Sequence, residues 1–532
     1  MKSPKRICII GGGASGLTAT KCCLDECLIP VCYERSGDIG GLWRYTEEKT
    51  VGACVYKSTI INTSKEMMCF SDFPIPEHFP NFMHNTKIVE YFRMYANKFG
   101  LDKHIQFKTE VVSCEFAKDY HETGRWIVRS KNIETKEEVV NLFDGIIVAV
   151  GHHAVPYLPL SSFAGFELFG GGHMHSHDYR NFNGFENKRV LVVGIGNSGG
   201  DISVELSRVA KQVFLSTRRG AWVMNRVDDY GLPLDIVRIN RFNQFLLNKL
   251  PSAVTNFYGQ TVLNKKFDHE TYGLRPKHAV LSQHPMINDD LPNRVLSGTL
   301  TVKGNVSSFA KNGVYFEDNT FEQIDYVIFA TGYNFAYPFL DNQILKVKNN
   351  ETDLYKYIWP PQLERSTLAV VGAIQPGGAV NPISELQCRW ITRLFKGLSE
   401  LPSKPTMNFY IQRQKDDMKK RYYATQRHTV QVDYVKYMDE LAAEIGVKPN
   451  LLRLAIMDPV LAYKVFFHAC TPYQYRLSGP GKWKQARENI MTQHERVKLP
   501  LKTRPSVHKT GLSHFLSFFL VAVIAIFIYL TI

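Results

Sequence analysis

The chain has 532 residues, 44% of them apolar and 21% charged, and its 64 Lys plus Arg outnumber its 50 Asp plus Glu to give a formal net charge of +14. That length exceeds what one hydrophobic core holds, and that composition excludes a largely disordered chain. The positive balance favours anionic partners, but no zinc-finger spacing, RNA-binding signature or basic heptad helix accompanies it, so nucleic acid is not an expected partner.

Residues 6–10 form a short continuous apolar run that meets glycines, the pattern of a buried parallel strand. Gly11-Gly12-Gly13-Ala14-Ser15-Gly16 follows, with GxGxxG matched at Gly11, Gly13 and Gly16. A helix is expected over 15–26 and a second strand over 31–33, ending in Glu34. Each part has a mechanical reason. Gly11 permits the tight turn, Gly13 lets backbone approach a pyrophosphate, and Gly16 lets the helix pack on the strand. The helix N-terminus offers amide donors, and an acid at the end of the second strand accepts ribose hydroxyls. Gly41, Leu42 and Trp43 then form a loop that suits the passage of a long cofactor such as FAD.

The same architecture recurs from Arg189. A strand over 190–193 runs into Gly194-Ile195-Gly196-Asn197-Ser198-Gly199, and Gly200 and Asp201 open the next helix. The strand over 213–215 ends in Ser216-Thr217-Arg218-Arg219, where an acid would repel a 2′-phosphate and arginines would bind it. The first site therefore suits an unphosphorylated adenosine and the second suits NADPH. Two further segments, 143–151 and 324–333, each read as acid, apolar strand and glycine, and carry the chain between the two nucleotide units. The expected fold is α/β, with two Rossmann-like dinucleotide-binding domains, for FAD and NADPH, the second inserted into the first. No CxxC pair and no metal-ligating or Ser-His-Asp constellation appears, so no metal is expected. The ten Cys read as reduced thiols. A disulfide reductase would need a redox-active cysteine pair near the flavin, and Cys22, Cys23 and Cys27 lack that spacing.

At the C-terminus, residues 515–530 are almost wholly apolar, and 515–532 as a helix would reach ~27 Å, close to a bilayer core. The flank carries Arg496, Lys498, Lys502, Arg504 and Lys509. This predicts a C-terminal transmembrane helix, a single-pass tail anchor with the catalytic body in the cytosol.

The order GxGxxG, Glu34, Gly41-Leu42-Trp43, Phe169-x-Gly171-x-x-x-His175-x-x-x-Tyr179, a second GxGxxG and Ala330-Thr331-Gly332-Tyr333 resembles the flavin-containing monooxygenases over essentially the whole chain. The stretch 62–74 resembles the microsomal, membrane-anchored members, and 218–222 with 421–429 the fifth microsomal isoform. Ala14, Cys27, the Gly170-Gly171-Gly172 run and Gly378 depart from the family pattern. The resemblance implies a discontinuous FAD domain (1–160 and 325–445) and an NADPH domain (161–324) with an insertion near 234–293. A helical region with a basic linker (446–510) and the anchor (511–532), placed on the endoplasmic reticulum, complete it. It also implies that NADPH reduces FAD and that O₂ then gives a C4a-hydroperoxyflavin, which oxygenates amine nitrogen or thioether sulfur of a small molecule. Insertion of oxygen into ketones and release of H₂O₂ are the alternatives. Asn62, followed by Thr63, would hold flavin and nicotinamide as the catalytic residue, and Gln387 and Trp390 are candidates to line the site. His175 and Tyr179 are as compatible with joining the domains as with chemistry. The substrate and a homo-oligomeric state stay open.

Overall fold

The computed structural model describes residues 3–48, 52–422 and 429–504. Arg6–Ile10 is buried past its first residue because it is the central strand of a five-stranded parallel sheet. The order is Leu368–Val370, Gly145–Val148, Arg6–Ile10, Ile29–Tyr33, Ile105–Gln106. Arg189–Val193 holds the same place in a second sheet. Its order is Leu300–Lys303, Gln212–Ser216, Arg189–Val193, Tyr326–Phe329, Gly172–His175. Cover on both faces is why these strands read as uninterrupted apolar runs.

One face of each sheet carries an antiparallel three-stranded meander. In the first, Trp126, Val128 and Phe143 pack on Cys8, Ile10, Ile146 and Val148. In the second, Phe309, Val314 and Phe316 pack on Leu191, Val193, Val327 and Phe329. The opposite face of the first sheet is closed by the Ala14–Asp25 and Val380–Lys396 helices, which lie against each other.

The two acid–strand–glycine segments occupy equivalent positions. Arg6 N donates to Asp144 Oδ2 at 2.7 Å, and Arg189 N donates to Asp325 Oδ2 at 2.7 Å. Beyond these strands the chain leaves each sheet, and Val155–Pro156 pairs antiparallel with Tyr333–Asn334. Both connections between the sheets therefore run side by side as one ribbon. Tyr326–Phe329 itself belongs to the second sheet, and the chain re-enters the first at Leu368–Val370. Within the 234–293 stretch, the Arg241–Lys249 helix packs on the Pro459–Phe467 helix, and Arg241 pairs with Asp439 at 2.5 Å.

Two departures from the family pattern have a visible setting. Cys27 follows the helix cap in the left-handed region (φ 55°), where Cys27 N and Leu28 N close the Ala14–Asp25 helix onto Leu24 O and Cys23 O, a position that favours glycine. Gly378 lies so close to the Tyr434 ring that a Cβ there would come within 2.8 Å of it.

The expected transmembrane helix, and with it the tail anchor and endoplasmic-reticulum placement, is corrected. No helix among the described residues is long and apolar enough to cross a membrane. The longest, Lys404–Arg421, ends in a charged half-helix, and Val380–Lys396 is buried against the first sheet. The apolar stretch 511–532 on which the expectation rested lies outside the described residues.

Candidate active site

The two glycine turns are near duplicates. Gly11 (φ 106°) and Gly194 (φ 109°) hold a backbone conformation that side chains rarely adopt, and their amides donate to Tyr33 O (2.8 Å) and Ser216 O (3.0 Å). A Cβ on Gly16 or Gly199 would fall 1.7 or 1.9 Å from the carbonyl oxygen of Gly11 or Gly194, so each helix sits directly on its turn. Gly13 and Gly196 are the N-caps of Ala14–Asp25 and Asn197–Leu206, both extended and neither capped by a side chain. Two helix N-termini thus present amides and the positive end of the helix dipole to whatever lies before them.

Around the first turn, Glu34 Oε2 accepts from Gly12 N at 2.6 Å, and Oε1 accepts from Ser36 N (2.7 Å) and Ser36 Oγ (2.6 Å). A carboxylate has about four acceptor positions, so one remains beyond these three donors. The Gly41–Trp43 turn lies over the glycine loop: Gly40 N donates to Gly12 O, and Gly41 Cα is 3.6 Å from where a Gly13 Cβ would stand. Leu42 O receives Val55 N, Trp43 packs on the main core, and Ser15 Oγ donates to Ser384 Oγ at 3.0 Å.

Around the second turn, Ser216 donates to Gly304 O (2.8 Å) and Thr217 Oγ1 accepts from Gly220 N (3.0 Å), while Arg218 and Arg219 are exposed. Ser198 is half-buried, and Gly200 backs onto Met286. The side chains of Asn197 and Asp201 are held by protein partners. Asn197 Oδ1 accepts from Ile287 N (2.9 Å). Asp201 accepts from Tyr56 OH (2.7 Å) and Asn288 Nδ2 (2.7 Å), and burial raises its carboxyl above the usual range despite those donors.

Tyr56 belongs to the segment leaving the first turn, so the Tyr56–Asp201 bond stitches the two nucleotide units together. A second stitch lies beside it. Arg226 Nε donates to Asn62 Oδ1 at 3.0 Å, Arg226 Nη1 donates to Asp289 Oδ2 at 3.1 Å, and Nη2 stands 4.0 Å from Asp201 Oδ1. Thr63 is half-buried after Asn62, and Ser64 N donates to Asp235 Oδ2 at 2.6 Å. Burial pushes the Asp235 carboxyl up to about 6. An acid whose folded value lies above its unfolded value destabilises the fold as pH rises through that interval. The full cost, about 3 kcal/mol, is present above pH ~6 and fades towards pH ~4. Asp235→Asn is expected to recover most of it at pH 7.5 and to flatten the pH 4–6 slope in urea unfolding; an unchanged slope would show that Asp235 stays ionised throughout.

Other expected lining residues are absorbed by packing. Gln387 Oε1 accepts from Gly372 N and Gln387 Nε2 donates to Tyr437 OH, both at 2.9 Å. Trp390 is fully buried edge-on to Trp359. Tyr179 donates to Glu205 at 2.8 Å, and His175 Nδ1 accepts from His177 N at 3.0 Å. Tyr56, Arg226, Asp235 and Asp289 are the site residues that motif reading missed. None sits in a recognisable pattern, and their meeting depends on how the two units dock.

Paired glycine turns on matching parallel sheets, stitched across by Asn62–Arg226 and Tyr56–Asp201, define a protein with two dinucleotide-binding domains. The chain belongs to the flavin-binding monooxygenase-like family, whose model matches residues 4–532. It is an enzyme of the flavin-containing monooxygenase class. It is 56% identical over 502 residues to flavin-containing monooxygenase 5 of Rattus norvegicus, covering 94% of each chain. Among solved structures it resembles the S-allyl-L-cysteine S-oxygenase of Allium sativum, with a TM-score of 0.64, 23% identity, and coverage of 92% of this chain and 99% of that one. It also resembles an NADP+-bound cyclohexanone monooxygenase from Rhodococcus sp. Phi1, with a TM-score of 0.59, 16% identity, and coverage of 84% and 98%. At those identities the two structures speak for the fold.

Proposed function

We propose that the chain holds FAD at the first glycine turn and NADPH at the second, and uses O₂ to oxygenate soft nucleophiles, amine nitrogen or thioether sulfur, of a small-molecule substrate. The observation that carries this reading is the contrast between duplicate turns, the first ending in Glu34 and the second in Arg218 and Arg219. The uncapped N-termini at Gly13 and Gly196, where the nearest atom to a built Cβ is 3.6 Å away at Gly13 and none lies within 4 Å at Gly196, leave room for a pyrophosphate on each. Bound FAD would take two electrons from NADPH as hydride and pass them to O₂, so that one oxygen atom enters the substrate and the other leaves as water.

The chain's own residues bind, orient and shield. Glu34 takes a ribose hydroxyl, and Arg218 and Arg219 take the 2′-phosphate. Asn62 presents its amide where the two nucleotides meet, with its oxygen held by Arg226. The Gly41–Trp43 turn covers the first site. Replacing Arg218 and Arg219 together by Ala is expected to lower the kcat/KM preference for NADPH over NADH about 10–100-fold, chiefly through the KM for NADPH. An unchanged preference would remove the arginines from the assignment. The reading as a whole is tested by giving the full chain NADPH and O₂ with a thioether and a ketone side by side. Sulfoxide as the main product supports it. An ester as the main product moves the activity to ketones, and peroxide without either product makes it an oxidase.

A further inference from the structure

Away from both glycine turns, a crevice of about 350 Å³ opens between the C-terminal halves of the Ala14–Asp25 and Val380–Lys396 helices, closed on one side by the 480–483 loop. Its walls bring charge into the interior. Each carboxylate there already holds a cation. Asp72 accepts from Lys21 at 2.6 Å and lies 2.8 Å from Arg476, Asp25 is 2.7 Å from Lys21, and Glu26 is 3.4 Å from Arg393. Glu385, buried behind them, binds Arg476 at 2.7 Å and both Ser71 N and Ser71 Oγ.

Arg389 is the exception. It is 6% exposed, lines the crevice, and donates only to carbonyls, Tyr475 O at 3.1 Å and Pro480 O at 3.0 Å. Among the described residues no carboxylate lies within ion-pair distance of it. Burial and the neighbouring Arg476 guanidinium pull its proton affinity down to about 10, far below that of an ordinary arginine. The carboxylates that act on it from a distance, Glu385 and Asp72, are ion-paired with Arg476 and Lys21. A buried guanidinium without an ion pair of its own is an unfavourable arrangement, and this one lines open space beside an exposed lysine, Lys482. A planar fork of N–H donors matches an oxyanion better than chloride.

We propose that this crevice is a binding site for a phosphate-class oxyanion, seated on Arg389 with Lys482 at its mouth. The site joins the far end of the first nucleotide helix to the C-terminal region, so its occupancy ties the 476–483 loop to the first unit. Free phosphate and the phosphate group of a monoester share this chemistry.

The test is calorimetric titration of the full chain, loaded with FAD and NADP+ so that both glycine turns are filled, with inorganic phosphate and separately with glycerol phosphate, against sodium chloride at equal ionic strength. The expected result is saturable phosphate binding near ~1 mM that chloride does not reproduce. Lys482→Ala, an exposed substitution that leaves the core intact, is expected to weaken it about tenfold, and Arg389→Gln to abolish it. Equal affinity for glycerol phosphate identifies an ester-accepting site; binding of phosphate alone identifies a site for the free anion. Heats that do not saturate, or saturable binding that Lys482→Ala leaves unchanged, overturn the proposal even if Arg389→Gln fails to fold.

Discussion

Gly13→Val is expected to fold and to emerge without flavin. The residue is extended (φ −77°, ψ −168°), so a branched side chain costs its backbone little, and a Cβ there meets the neighbouring Gly41 Cα at 3.6 Å, an ordinary contact. The added methyls instead enter the space before the uncapped helix, where the pyrophosphate is proposed to lie. Overpacking of that kind weakens binding by about 3 kcal/mol, roughly 100-fold. The check is visible flavin absorbance per polypeptide, beside a circular dichroism melt that establishes folding. A folded variant with a full complement of flavin would move the cofactor away from this turn. Gly16 is the wrong residue for the experiment. A Cβ there would lie 1.7 Å from Gly11 O, so Gly16→Ala breaks the turn itself and cannot separate folding from binding.

Arg226→Met is expected to lower kcat about 10–100-fold while leaving the KM for NADPH near its wild-type value, and to raise the peroxide released per NADPH consumed. The guanidinium holds the Asn62 amide oxygen from one unit and Asp289 from the other, and the Arg226 amide also donates to Asp289 at 2.9 Å. Methionine keeps the bulk and loses every donor on the side chain. Asn62 is then free to rotate its amide, and the Asp201 carboxyl, already raised by burial, loses a cation that lowers it. Arg226→Lys restores the charge as a single point and is expected to rescue only part of the rate, because an ammonium cannot span both partners in the fork geometry. A fall in kcat with unchanged coupling of NADPH to product would reduce Arg226 to a structural tie between the units.

The parts of this site that a reader of the chain can find are those built from contiguous residues. Strand, glycine turn, helix and terminal acid or arginine occupy 6–34 and 189–219, and their local geometry follows from spacing alone, because each piece touches its sequence neighbours. The repeated acid–strand–glycine segments were legible for the same reason, and both lie beside the central strand of a sheet. Family pattern singled out Asn62, but nothing local announced Arg226, which reaches it across 164 positions. Asn197, Asp201 and Gln387 have side-chain partners that their positions in the sequence do not announce: Ile287, Tyr56 with Asn288, and Gly372 with Tyr437. Spacing along the chain encodes local backbone geometry and the periodic burial of strands and helices. Which polar side chain finds which partner is set by the docking of one sheet against the other, and that docking depends on long-range packing that no motif records.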